Sequence, residues 1–130
     1  MGQGFAAESL SGNVAYGKKL FKKCKSCHSI ISNDGIAIEK GGKAGPNLWG
    51  LSGRVSGTTS YRYGSSIVKA GEAGLVWEKE EFVEYVANPK AFLVAKLKEK
   101  SARSKMSYKL KKASDAINIW AYLVSHGPNK

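Results

Sequence analysis

Val14, Gly17, Leu20, Phe21 and Cys24 recur at helical spacing, and lysines fill most of the positions between them. This predicts an amphipathic helix over 14–27, capped at its start by Asn13 or Ser11. From Ile30 to Gly64 the helical period is lost. Turn clusters replace it: "NDG" at 33–35, "KGGKAGPN" at 40–47 and "GLSGRVSG" at 50–57. A loop region of this length inside a compact domain is usually functional. Periodicity then returns. A short helix is predicted over 65–70. A clearer one covers 78–87, with Phe82, Val83, Tyr85 and Val86 on its apolar side and an acidic first turn that suits the helix dipole. Asn88–Pro89 breaks that helix and opens another through about Leu97. Ser101 to Leu110 reads as a polar, basic loop. Ser114 is the expected cap of a last helix in which Ala116, Ile119, Trp120 and Leu123 recur. No strand alternation, internal repeat or low-complexity segment is visible. The predicted class is all-α with long loops.

Composition sharpens this picture. A chain of 130 residues, 42% hydrophobic and 24% charged, is globular and most simply one domain. Such a domain buries roughly two-thirds of its unfolded surface, so the core is thin. Most of the 15 glycines lie between Gly35 and Gly74. A bound cofactor would supply the core that this middle third lacks. Lysines and arginines number 21 against 10 acidic residues. Only Arg54, Arg62 and Arg103 are arginines, whereas base readout and phosphate forks favour arginine. A diffuse lysine field without a nucleic-acid motif points to transient docking on acidic protein surfaces and away from nucleic acid. The opening "MGQGFAAESLSG" has no basic n-region and no long apolar stretch, so it is not an intact signal peptide. No run approaches a membrane span of ~20 apolar residues. The expectation is an exported protein without its leader or anchor, and no stable membrane insertion of this chain.

The two cysteines, Cys24 and Cys27, stand two residues apart, with His28 directly behind. A thioredoxin-like dithiol needs a βαβ setting, which the pattern lacks. A structural zinc site needs four ligands, and outside this run only His126 remains among the histidines. A disulfide across so short a loop would stabilise little. Covalent haem attachment remains, for which Cys-x-x-Cys-His is the signature. Two thiols on one turn can each form a thioether to the same porphyrin, with His28 beneath the iron. The other axial position decides the chemistry, since an open site allows gas or peroxide reactions and a filled one favours electron transfer. Candidates are Met1, Met106 and His126. Met1 is expected to be disordered and His126 solvated in a polar tail. Met106 stands in "SARSKMSYK" without helical apolar partners, where a thioether ligand makes better sense than a core residue.

With these residues assembled, the chain resembles the class I c-type cytochromes, and among them the larger bacterial cytochrome c2 type. The resemblance runs from about Gly12 to Leu123. It rests on "CKSCH" at 24–28, "GPNLWGLSGR" at 45–54, "YRY" at 61–63, Trp77, "EYVANP" at 84–89, "SKM" at 104–106 and "AYL" at 121–123. It implies a cytochrome c fold over 12–126, in which the N- and C-terminal helices cross and loops wrap one covalently bound haem c. Residues 1–11 would be a disordered or residual N-terminal segment, and 127–130 a C-terminal tail. It further implies that the Pro46 carbonyl fixes the His28 ring, and that Arg54, Tyr63 and Trp77 hold a buried haem propionate. Tyr85 would lie near the Met106 sulfur, and Gly17 and Phe21 would pack on Ile119 and Tyr122. Relative to the short mitochondrial-type pattern, residues are added between His28 and Pro46 and between Pro89 and Met106. Ser104 stands where a threonine that contacts a propionate often occurs.

The implied function is one-electron transfer by a monomeric periplasmic carrier with a low-spin His/Met-ligated haem. It would shuttle between a cytochrome bc complex and a photosynthetic reaction centre or terminal oxidase. The alternative is a haem enzyme, or a gas- or peroxide-reactive sensor, with a labile sixth ligand. Lys22, Lys23, Lys25, Lys43, Lys105, Lys109, Lys111 and Lys112 are the candidates for a docking ring around the haem edge.

Overall fold

Asn13 starts the first helix, α1 (Val14–Leu20). Its Oδ1 accepts from the Tyr16 N–H at 2.8 Å, while its own N–H donates to Asn118 Oδ1 at 2.8 Å. One residue thus caps α1 and ties it to the last helix. The computed structural model describes residues 12–128, so Met1, the capping alternative Ser11, the segment 1–11 and the last two residues of the tail lie outside it. The helix predicted over 14–27 is shorter than expected. It tightens into a 3-10 turn at Phe21–Lys23, and the two cysteines follow in turns. There the Cys24 carbonyl accepts from both the Cys27 and His28 N–H groups, at 3.1 and 2.9 Å.

Beyond His28 the chain forms a small antiparallel hairpin, β1 (Ile30–Ile31) with β2 (Ala37–Glu39), Ile30 facing Glu39. The sequence reading missed it because two or three residues are too few to show alternation. A long loop, pinned by the Val55–Val76 bridge, leads through α2 (Ser65–Glu72) to α3 (Lys79–Ala87) and α4 (Pro89–Leu97). Asn88 ends α3 and caps α4, accepting from the Ala91 N–H at 3.1 Å. The last helix is α5 (Ala113–His126), and here two expectations fail. Its cap is Lys112, whose carbonyl already accepts from the Asp115 and Ala116 N–H groups, so Ser114 falls inside the first turn. His126 is not in a solvated tail. It is the final residue of α5, half-buried, with its ring edge-on to Tyr122 at 4.9 Å.

Helix α1 crosses α5 at Gly17, which is buried against Asn118 and Tyr122. Next to the crossing the rings of Phe21 and Tyr122 meet at 5.9 Å. Phe82 on α3 packs on Trp120 of α5 at 5.3 Å, so the long C-terminal helix joins both halves of the chain. The loop between α4 and α5 is stitched to α3 by the Leu110 N–H, which donates to the Val86 carbonyl at 2.7 Å. Among the described residues no helix is long and apolar enough to cross a membrane.

Candidate functional site

The helices and the glycine-rich loop leave a largely apolar cleft between them. Leu48, Leu51, Trp77, Phe82 and Leu93 form much of its wall, and Cys24, Cys27, His28 and Met106 all line it. The four residues selected from the sequence are therefore brought to one place. Among the described residues, no three His, Cys, Asp or Glu side chains are grouped to hold a bare metal ion. The donor set suits iron held in a macrocycle that fills an apolar cleft.

His28 is oriented before anything binds. Its Nδ1 lies 2.8 Å from the Pro46 carbonyl. A carbonyl only accepts, so Nδ1 carries the proton and Nε2 keeps its lone pair for a metal. Burial lowers the His28 pKa from its ordinary value, partly opposed by that carbonyl, which keeps the ring neutral and able to ligate. Burial, reinforced by the neighbouring Cys27, pushes the Cys24 thiol up to about 11, whereas Cys27 is exposed.

The segment between His28 and Pro46 folds back onto this turn. The Gly42 N–H donates to the Lys25 carbonyl at 2.9 Å, and the Gly45 N–H to the Cys27 carbonyl at 2.7 Å. Ser29 Oγ accepts from the Gly41 N–H at 3.0 Å. A Cβ at Gly42 would collide with the Ser26 carbonyl, and one at Gly45 with the His28 ring. "KGGKAG" read only as a turn cluster in the sequence, but its glycines permit main chain to lie directly against the Cys-x-x-Cys-His run.

Arg54 is half-buried. Its guanidinium donates to the Trp49 carbonyl at 2.6 Å and lies beside the Tyr63 hydroxyl. Burial lowers its pKa, and the ion pairs among the described residues, Lys25–Glu39 and Lys69–Glu99, do not include it. A half-buried cation facing an apolar cleft without a carboxylate suits an anionic group on the occupant. Tyr63 and Trp77 line the same cleft, and Trp77 packs edge-on to Tyr85 at 5.0 Å. Burial raises the Tyr85 pKa, and the hydroxyl of Ser104 partly offsets this. Ser104 is engaged in another way as well. Its Oγ donates to the Met106 carbonyl at 2.9 Å and accepts from the Met106 N–H at 3.2 Å, so it holds the main chain of the methionine.

All eight candidate docking lysines are exposed, but Lys105 alone among them lines the cleft. Lys25 pairs with Glu39 at 3.4 Å, and Lys105 donates to the Arg62 carbonyl at 2.6 Å. Sequence reasoning assigned no role to Glu39, Ala44 or Tyr61. Glu39 accepts from the Tyr122 hydroxyl at 2.5 Å, and Tyr61 donates to the Ala44 carbonyl at 2.5 Å.

No protein-family model matches the chain. Individual proteins do. It is 54% identical over 114 residues to cytochrome c-551 of Roseobacter denitrificans, covering 88% of this chain and 81% of that protein. With cytochrome c2 of Rhodobacter capsulatus it shares 46% identity over 121 residues, covering 92% of this chain and 87% of the relative. The X-ray structure of cytochrome c2 from Rhodobacter sphaeroides superposes with a TM-score of 0.87 at 42% identity, covering 89% of this chain and 97% of that one. The chain belongs to the cytochrome c2 family. Its fold is the cytochrome c fold, its cofactor is one covalently attached haem c, and it is an electron carrier. The alternative of a haem enzyme or sensor finds no support among relatives named as cytochromes c2, c-550 and c-551.

Proposed function

We propose that Cys24 and Cys27 would form the two thioethers, that His28 Nε2 and the Met106 sulfur would hold the iron, and that Arg54 would pair with a propionate. When bound, the haem iron supplies a one-electron couple, and the chain sets the conditions for its use. The observation that carries this reading is the set of cleft-lining residues: a histidine with Nδ1 fixed and Nε2 free, and a methionine held by its main chain, share one apolar cleft. Two residues held at one cleft in this way would need little rearrangement as ligands on electron transfer. The soft thioether and the burial provided by Leu48, Leu51 and Phe82 both favour the lower charge. Tyr63, Trp77, Tyr85 and Ser104 complete the surroundings, Ser104 through the Met106 backbone.

The carrier works in the periplasm in this reading, between a cytochrome bc complex and a photosynthetic reaction centre or terminal oxidase. Lys22, Lys23, Lys43, Lys109, Lys111 and Lys112 meet acidic surfaces on those partners, with Lys25 and Lys105 partly committed within the chain. The test is the ferric near-infrared band of sulfur–iron ligation. It is expected in the native protein and lost in Met106→Ala with the haem still covalently attached. A native spectrum without that band, or its persistence in Met106→Ala, overturns the assignment of Met106.

A further inference from the structure

Two loops bring the proposed axial ligands to the cleft, and they meet at its rim through a third segment. The first carries Ala44, Gly45 and Pro46, whose carbonyl fixes His28. The second carries Lys105 and Met106. Between them runs Tyr61–Arg62–Tyr63. The Tyr61 hydroxyl donates to the Ala44 carbonyl at 2.5 Å. Lys105 Nζ donates to the Arg62 carbonyl at 2.6 Å and stands 5.4 Å from the centre of the Tyr61 ring. The segment itself is stiffened, since Tyr61 and Tyr63 pack edge-on at 5.0 Å and the hydroxyls of Tyr63 and Thr59 are 2.6 Å apart. Ala44, Tyr61, Tyr63, Lys105 and Met106 all line the same cleft.

We infer that Tyr61 and Lys105 are positioning residues which form a tie in series, Ala44–Tyr61–Lys105, keeping the Met106 loop closed on the cleft. The loop needs such a tie. Residues 101–110 contain no helix or strand, and Ser101, Arg103, Lys105, Ser107, Tyr108 and Lys109 are exposed. Segments held by few buried contacts open locally at low free-energy cost. At the start of the loop the Arg103 N–H donates to Ser66 Oγ at 2.9 Å, and at its end Leu110 is stitched to α3. The rim tie acts between these two anchors, next to Met106 itself. A cation over an aromatic ring and a charge-assisted bond to a carbonyl both belong to the stronger surface contacts. The ammonium of Lys105 is thereby held on the tie, which separates it in role from the free docking lysines.

This inference rests on the assignment of Met106 as a ligand, and the experiment separates the two. The probe is imidazole, which enters the ferric holoprotein only when the Met106 loop opens. Tyr61→Phe removes one hydroxyl and Lys105→Met removes the ammonium while keeping the stem. Each is expected to raise the rate of imidazole capture about fivefold, as for the loss of one net hydrogen bond. Because the links are in series, the double variant should be no faster than either single one. Lys105→Arg, which keeps a cation and donors, should restore much of the native rate, and Lys18→Met on α1 should leave it unchanged. Amide exchange of residues 104–107 in the holoprotein should accelerate in parallel, while that of Ile119 in the core stays slow. Unchanged capture and exchange rates, or single effects that multiply in the double variant, overturn the tie. A native ferric protein without the sulfur–iron band would instead refute Met106 as ligand, and the exchange data would still decide whether the tie holds the loop.

Discussion

Gly17→Ala tests the central packing claim, because two effects of opposite sign meet at that position. In an exposed helix interior the substitution would stabilise the protein by about 1 kcal/mol through propensity alone. Here a Cβ would collide with the Asn118 carbonyl oxygen, lie 2.6 Å from the Asn118 carbonyl carbon and 3.0 Å from Tyr122 Cβ. The first two are main-chain atoms of α5, so no rotamer change relieves the contact. Reaching an ordinary separation of 3.4 Å requires the helices to part. That movement strains the Asn13–Asn118 bond and the Phe21–Tyr122 contact, which also span the crossing. Overpacking of this kind costs ~1–3 kcal/mol, more when the obstacle is backbone. The cost exceeds the propensity gain, and a net loss of ~1–2 kcal/mol is expected, with Gly17→Val worse. The assay is guanidinium unfolding of the holoprotein, read as a lower midpoint at unchanged slope. Ala15→Gly, at an exposed position of the same helix, calibrates the propensity contribution. If Gly17→Ala proved as stable as the native protein or more so, the reasoning about a closed crossing would be refuted.

Further expectations concern charge and ionisation. Tyr122 is buried and donates to Glu39, and burial with that carboxylate raises its pKa above the ordinary phenol value. Its neutral form is the folded one, so this contribution is complete below about pH 10 and declines as pH rises towards the folded pKa. Tyr122→Phe should cost ~1–2 kcal/mol at neutral pH and flatten the alkaline fall in stability, measured by unfolding over a pH series. Replacing Lys109, Lys111 and Lys112 together by Gln should slow association with a purified cytochrome bc complex about tenfold at low ionic strength. The difference should vanish in high salt, and a salt-independent difference would argue against electrostatic steering.

Most of the fold was legible because its helices are amphipathic and punctuated. Asn13, Asn88 and Pro89 mark helix ends by local chemistry, and α4 occupies the predicted 89–97. The Cys-x-x-Cys-His run and the lone Met106 were legible for a different reason, since neither makes sense as core. What the sequence concealed depends on contacts between distant residues. Ser114 looks like a cap, but the course of the chain from Leu110 begins the helix at Ala113. The partners Glu39–Tyr122, Tyr61–Ala44 and Lys105–Arg62 are separated by 83, 17 and 43 positions. No periodicity encodes such pairs. For the same reason the docking lysines could be counted from the sequence but not ranked, since only the structure shows that Lys25 and Lys105 have internal partners.

The stretches from His28 to Pro46 and from Pro89 to Met106 share a physical role. The first, between His28 and Pro46, lays glycine main chain on the Cys-x-x-Cys-His turn and sends Glu39 to both Lys25 and Tyr122. It therefore fastens the turn that carries the proposed proximal ligand to the C-terminal helix. The second, between Pro89 and Met106, reaches a segment where Ser104 grips both main-chain polar groups of Met106 and Arg103 is tied to Ser66 on α2. Both stretches supply hydrogen bonds to the backbone next to a proposed ligand, and the second also gives Leu93 to the apolar wall of the cleft. They act on the positions of the two proposed ligands, and a pair held in this way would keep the reorganisation of an electron carrier small.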